Sequence, residues 1–218
     1  MVDRRARIID AAMHRFAEAG FGATTVRQIA DDVGILSGSL YHHFATKEEI
    51  LDAIVRDAVL RLRDLTVRIA DFPADAEQRL VALVLTDLCE FTDHQAIHAI
   101  LFHERKFFRR SPDFAYVPLA RKEAYDAWRK VLGDGIAQGL FRPDIEIFLT
   151  ISTTVRMLNT GADWYAHEDG SAIDAPATYT LRELSDFYLA MVLHSVRTVE
   201  RAAQPIPRDA AERLIAAA

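Results

Sequence analysis

The chain is poor in cysteine: Cys89 stands alone among 218 residues. No intrachain disulfide can form, a buried structural thiol is expected, and the cytoplasm follows as the default compartment. Long apolar runs are missing too. None reaches the roughly 18 residues that would span a membrane, and MVDRRARIIDAA carries charges with no signal-peptide core behind it. There is no HExxH, no P-loop, no dinucleotide fingerprint and no Ser–His–Asp spacing, so the common hydrolytic and nucleotide chemistries have no foothold. Strand-type alternation, repeats and low-complexity runs are absent as well. What is present is helical periodicity, with half of the residues hydrophobic, enough for a substantial core. The expected fold class is all-α.

The most informative stretch is Thr24 to Lys47, TTVRQIADDVGILSGSLYHHFATK. Thr25 can cap a helix and Gln28 can close a capping box. Val26, Ile29, Ala30 and Val33 give that helix an apolar stripe. Gly34 supplies the stop, because glycine enters a left-handed turn without steric cost. Ser37 or its neighbour starts a second, short helix. Leu40 and Phe44, four residues apart, pin it to a core. At about 100° per residue, Gly38 and His42 fall on the opposite face, flanked by Ser39, Tyr41 and His43. A helix, a tight turn and a short outward-facing helix is the geometry of a helix-turn-helix reader, although packed helix pairs with a glycine turn are also common in all-α proteins.

The residues from Arg4 to about Ile54, densest in FAEAGFGATTVRQIADDVGILSGSLYHHFATKEEIL, resemble the DNA-binding domain of the TetR family of bacterial repressors. Within that family GILSGSLYHHFATKEE looks most like actinobacterial regulators of sterol-ring catabolism, which sense a coenzyme A thioester. The resemblance implies base and phosphate contacts at Ser37, Gly38, Ser39, Tyr41, His42, His43 and Lys47, with Thr25 and Arg27 on the preceding helix. Hydroxyls, a close-approach glycine, a lysine and free amides at helix N-termini suit phosphate binding.

The pattern predicts a helix-turn-helix domain at 1–50, a ligand-binding and dimerisation domain at 51–204, and a tail from 205 that frays. About nine helices are expected. The first spans 4–20, with Ile9, Ala12, Met13 and Phe16 inward. The fourth spans 46–71, capped by Thr46 and Glu49, and connects the two parts as a lever. Further helices are expected at about 75–91, with Leu80, Val81, Val84, Leu85 and Leu88 inward, at about 95–109, up to Gly139, and over 145–165 and 181–201. HEDGSAIDAPAT is expected to be a polar loop.

The net charge of −6 is unlike a nucleic-acid binder. Residues 1–50 do not rescue it, since Arg4, Arg5, Arg7, Arg15, Arg27 and Lys47 face seven acidic residues. Affinity is therefore expected from a few well-placed phosphate contacts made twice, by a dimer on palindromic operator DNA. The apolar stripe Leu181, Leu184, Phe187, Tyr188, Met191 and the nearly all-round apolar helix containing Leu149 suggest the homodimer face.

Body aromatics suggest a pocket for a small lipophilic effector, such as an acyl-CoA, with Phe102, Phe107, Trp128, Arg156 and Trp164 as candidates. Arg156 could meet an anionic group or close a salt bridge at the dimer seam. Arg105, Lys106, Arg109 and Arg110 could meet coenzyme A phosphates or form a solvated face. A drug-sensing repressor of an efflux pump is the alternative within the class. His94 and His98 lie at a zinc-chelating spacing, with His103 turned about 140° from His98. A metal-dependent helical-bundle enzyme using His94, His98 and Glu104 is the rival from another class. No metal, cofactor or catalytic residues are expected.

Overall fold

The computed structural model describes residues 4–164 and 179–218, with the side chains of 161–164 left outside. The described residues form eleven α-helices: α1 (Arg4–Ala19), α2 (Val26–Val33), α3 (Ser37–Leu40), α4 (Lys47–Asp71), α5 (Ala76–Asp93), α6 (Gln95–His103), α7 (Arg105–Arg110), α8 (Tyr116–Ala137), α9 (Ile147–Trp164), α10 (Leu181–Val196) and α11 (Arg208–Ala217). The polar stretch HEDGSAIDAPAT and Trp164's side chain lie outside the described residues. No described helix is long and apolar enough to cross a membrane.

Packing divides the chain into two units, one of residues 1–61 with 94–120, the other of 62–93 with 121–218. The expectation drew the head as residues 1–50; the packed unit also takes in residues 51–61 and the chain from His94 to Ala120. The core of the head unit shows why. Ile8, Ala12 and Phe16 of α1 bury in the same cluster as Ile29, Leu40, Phe44, Leu51, Ile100, Leu101 and Phe108. The buried edge of α1 runs through Ile8, Ala12 and Phe16, whereas Ile9 and Met13 are only partly covered. The expected helix over 95–109 breaks at Glu104 (φ −93°, ψ 20°). Its carboxylate accepts the Phe21 amide at 2.9 Å, tying the break to the loop between α1 and α2. Cap chemistry at α4 is half as expected. Thr46 Oγ1 accepts from Glu49 N at 3.1 Å, but the Glu49 carboxylate reaches past Thr46 to the Ala45 amide at 2.7 Å.

The second unit is built around α5. Expected to bury one stripe, α5 is buried at every position from Ala76 to Leu88 except the half-buried Gln78. Helices α9, α10 and α11 pack on it. The tail expected to fray is therefore a structured part: Ala211 and Leu214 of α11 are buried in this core. Alanine at α11 helps because it forms helix at little entropic cost and lets the axes approach. Cys89, expected to be buried, is exposed on α5. The turn after α8 needs two glycines. Gly139 takes φ +69°, and any Cβ on Gly135 would stand 2.0 Å from the Phe141 ring packed over it. Phe141 and Arg197 then form an isolated antiparallel bridge that fixes this turn to the end of α10.

Candidate nucleic-acid interface

The reader is assembled from local chemistry. Thr25 Oγ1 accepts the Gln28 amide at 3.3 Å, and Gln28 Oε1 accepts the Thr25 amide at 2.8 Å. This reciprocal box satisfies two amide donors at the start of α2 that have no partner within the helix. Gly34, at φ 72° and ψ 39°, ends α2 in the left-handed conformation. One turn of α3 follows, with Leu40 and Phe44 buried as its anchors. Gly38, Tyr41, His42 and His43 are exposed, while Ser37 and Ser39 are half-buried. Tyr41 shows 53% of its surface and Leu36, at the N-cap of α3, shows 80%. Leu36 was not among the expected contacts. Spacing did not mark it out, because Val33 and Leu40, three residues before and four after, are both buried.

The cations divide between framework and surface. Lys47, expected at a phosphate, donates its ammonium to the Phe21 and Thr24 carbonyls at 2.6 and 2.7 Å and lies 4.3 Å from the Phe21 ring centroid. It holds the loop that presents α2. Arg7 donates to the Val33 carbonyl at 3.1 Å, and Arg5 lies over the Phe44 ring. The leading arginines thus brace the reader from behind. Arg15 pairs with Asp32, and that bond raises the guanidinium's pKa and lowers the carboxylate's. Thr25 and Arg27 are exposed near the start of α2.

The rival enzyme set does not assemble. His94 Nε2 sits 3.2 Å from the Arg61 guanidinium, an ill-suited neighbour for a metal ligand, His98 is buried, and Glu104 serves Phe21. Among the described residues no group of His, Cys, Asp and Glu could hold a metal.

The described members of the expected effector set divide between the two units. Trp128 is buried in the core around α5, whereas Phe102 is exposed and Phe107 packs among Phe21, Phe108 and Phe114, both in the head unit. Arg156 is exposed on α9, on the stripe with Leu149 and Thr153, so it faces away from the core. Sequence reading missed the buried charges of α5. Glu77 accepts from Arg197 through both oxygens (3.1 and 2.8 Å) and from Arg201. Burial pushes the Glu77 pKa up, yet these guanidinium hydrogen bonds outweigh it and leave the carboxyl below its ordinary value. Arg79 donates to Asp134 at 2.9 Å and to the Ala70 carbonyl at 2.6 Å. At the other end of α5, Asp87 is buried with no guanidinium or ammonium against it among the described residues. Burial, with Glu90 adding repulsion, raises its carboxyl to about 7. The adjacent Thr86 hydroxyl is buried with no hydrogen-bond partner among the described residues. A polar residue inside an apolar helix was the available signal for both.

The dimer stripe expected on α10 also separates into two faces. Leu184 and Tyr188 are buried in their own core and offer no surface to a partner, because i, i+4 neighbours on that side meet α5. Leu181 is partly buried against the same core. Phe187 and Met191 of α10 and Leu149 of α9 are exposed, joined by Phe148.

A short reader helix on a three-helix head, followed by an all-helical body, defines a helix-turn-helix DNA-binding regulator with a separate second unit. Residues 8–54 match the model of bacterial regulatory proteins of the tetR family, and residues 73–196 match the tetracyclin repressor-like C-terminal domain. The chain is 35% identical over 197 residues to the HTH-type transcriptional repressor KstR2 of Mycobacterium tuberculosis, covering 88% of this chain and 92% of that one. It is 34% identical to KstR2 of Rhodococcus jostii over 183 residues, 84% of this chain and 90% of the relative. The solved structure of the ketosteroid transcriptional regulator KstR2 of Mycobacterium tuberculosis superposes with a TM-score of 0.79 at 34% identity, over 91% of this chain and 97% of that one. The chain belongs to the TetR family: it is a DNA-binding transcriptional repressor and not an enzyme. Membership implies operator binding and dimerisation.

Proposed function

We propose that the protein binds an inverted-repeat operator as a homodimer and is released by a lipophilic effector of the acyl-CoA class. The observation that carries the DNA part is α3: Leu40 and Phe44 are buried while Leu36, Gly38, Tyr41, His42 and His43 stand exposed on one short helix and its turn. Base contacts fall to Ser39, Tyr41, His42 and His43, with Gly38 permitting close approach and Ser37, Thr25 and Arg27 meeting phosphates. Lys47 acts by holding the loop before α2. Phe148, Leu149, Phe187 and Met191 form the homodimer face. The acyl-CoA reading rests on the likeness of GILSGSLYHHFATKEE to regulators that sense a coenzyme A thioester, and the solved KstR2 relative is described as a ketosteroid regulator. Helix α4, continuous from Lys47 beside the reader to Asp71, is the lever. The effector releases DNA by binding better to the conformation in which the two readers no longer match successive major grooves. The cytoplasm is the compartment this function requires.

A second effector reading has one observation in its favour. The buried Asp87 carboxyl, with no described cation against it, is what a cationic drug would use, as the efflux-pump alternative requires. Thermal shift with acyl-CoAs and with planar cationic drugs separates the two, since a ligand raises the melting temperature by binding the folded state. Selection of bound duplexes from random DNA tests the operator reading. Recovery of an inverted repeat is expected. Recovery of no sequence by active dimer would overturn it.

A further inference from the structure

The helix α7, sequence RKFFRR, is the unspent feature of the head. Its aromatics are inward: Phe108 is buried, and Phe107 lies 4.9 Å from Phe21 and 5.4 Å from Phe114 between ring centroids. Its four cations, Arg105, Lys106, Arg109 and Arg110, are all exposed, in two rows at i, i+4 spacing. None of their four side chains makes a hydrogen bond or ion pair among the described residues. Nothing in the head's own packing therefore accounts for four like charges on six residues, where repulsion at i, i+4 is unfavourable.

The charge of the two units sharpens the point. The head unit holds 12 Lys and Arg against 11 Asp and Glu, and the second unit 14 against 21. Without residues 94–120 the head would hold 8 against 9. The segment that turns the head from acidic to basic is thus the one carrying α7. Its position is also specific. Phe21, on which Phe107 packs, is the residue whose carbonyl accepts from Lys47 and whose amide is held by Glu104. Four residues on, Thr25 caps α2. Helix α7 therefore neighbours the loop leading into an N-terminus suited to phosphate, on the unit that reads DNA.

Resting on the DNA-binding reading above, we propose that α7 is a second DNA contact, in which Arg105, Lys106, Arg109 and Arg110 meet backbone phosphates outside the groove entered by α3. Such contacts carry affinity and salt dependence without sequence preference.

The test compares the full-length wild type with the R105Q/K106Q/R109Q/R110Q variant, which keeps polar, helix-forming side chains and loses the charge. Binding to a random-sequence duplex of about 40 base pairs is measured by fluorescence anisotropy across salt concentrations. Two phosphates per protomer would be about four per dimer, so the slope of log affinity against log salt should be shallower by roughly 3.6. Duplex selection should return the same preferred sequence from both proteins. Circular dichroism and light scattering establish that the variant is folded and dimeric; an R109Q/R110Q pair serves if the fourfold variant is not, with a slope change of about half that size expected. An unchanged slope would overturn the proposal. So would an unchanged slope with lost thermal stabilisation by coenzyme A, which would assign α7 to effector phosphates. Wild type that binds no duplex at all would overturn both the DNA-binding reading and this one, whereas binding wild type with an unaffected variant overturns this one alone.

Discussion

The two units treat polar side chains in opposite ways. In the head, polar groups close the ends and loops of helices: Thr25 and Gln28 cap α2, Lys47 and Glu104 hold the Phe21 loop, and Arg7 takes the Val33 carbonyl. Each satisfies a backbone group near the surface, and the reading face stays exposed. In the second unit, charges lie inside. Glu77 and Arg197 are almost fully buried, Arg79 is buried beside Asp134, and Asp87 is buried beside Glu90. The head is thus fixed by many small local terms. The body holds a few large ones: at one end of α5 Glu77 is paired with guanidinium groups, and at the other Asp87 has no cation against it among the described residues.

Breaking the paired end has the largest expected effect. Glu77→Gln leaves Arg197 buried without its carboxylate and should cost about 3–5 kcal/mol, read as a lowered urea midpoint, while Arg197→Met together with Glu77→Leu should recover much of the loss. A single variant as stable as wild type would remove the contrast between the units.

The Asp87 end should respond with the opposite sign. Asp87 is held near 7 when folded against 3.8 as the ordinary value, so the folded state keeps a proton that the unfolded state releases. Between about pH 4 and 7 this group makes stability fall as pH rises, leaving it lowest above 7. Asp87→Asn should therefore stabilise the protein at pH 8, on the order of 2 kcal/mol, and flatten that part of the pH profile. Glu77 tilts the other way: its pairing is present above its unfolded value and is lost as pH falls below it. Denaturant melts at pH 5 and 8 measure both, and an Asp87→Asn protein less stable at pH 8 would show that Asp87 has a partner in solution.

Within the head, changes should be smaller. Gly34→Ala forces alanine to φ 72° and should cost roughly 1–2 kcal/mol, and Thr25→Ala about 1 kcal/mol, both by thermal melt. Smallest of all is Tyr41→Ala, exposed and near zero in stability, yet expected to abolish operator binding. Unchanged DNA affinity in that variant would remove Tyr41 from the reader. Phe187→Glu should likewise keep the fold and yield monomers by light scattering.

What could be read in advance follows the same divide. The reader was legible because its signals are local. Thr25 with Gln28, Gly34, and the pair Leu40 and Phe44 sit within one or two turns of one another and fix their own conformation. The break at Glu104 was not, because its cause is the Phe21 amide, 83 positions away. Nor was the burial of α11, which depends on α5 leaving a side open to it. The α10 stripe shows the limit of periodicity: Leu184, Tyr188, Phe187 and Met191 all lie on a broad apolar arc, and only packing decides which half meets the core.

By itself, the sequence determined the helical class, the capped helix-turn-helix and the residues that face outward from it, since caps, glycine stops and i, i+4 spacing act over a few residues. Tertiary structure alone decided that α7 joins the head, that Glu77 finds Arg197 while Asp87 finds no cation among the described residues, and which face of α10 stays exposed. Those outcomes depend on which distant surfaces meet, and burial and charge pairing are properties of that meeting.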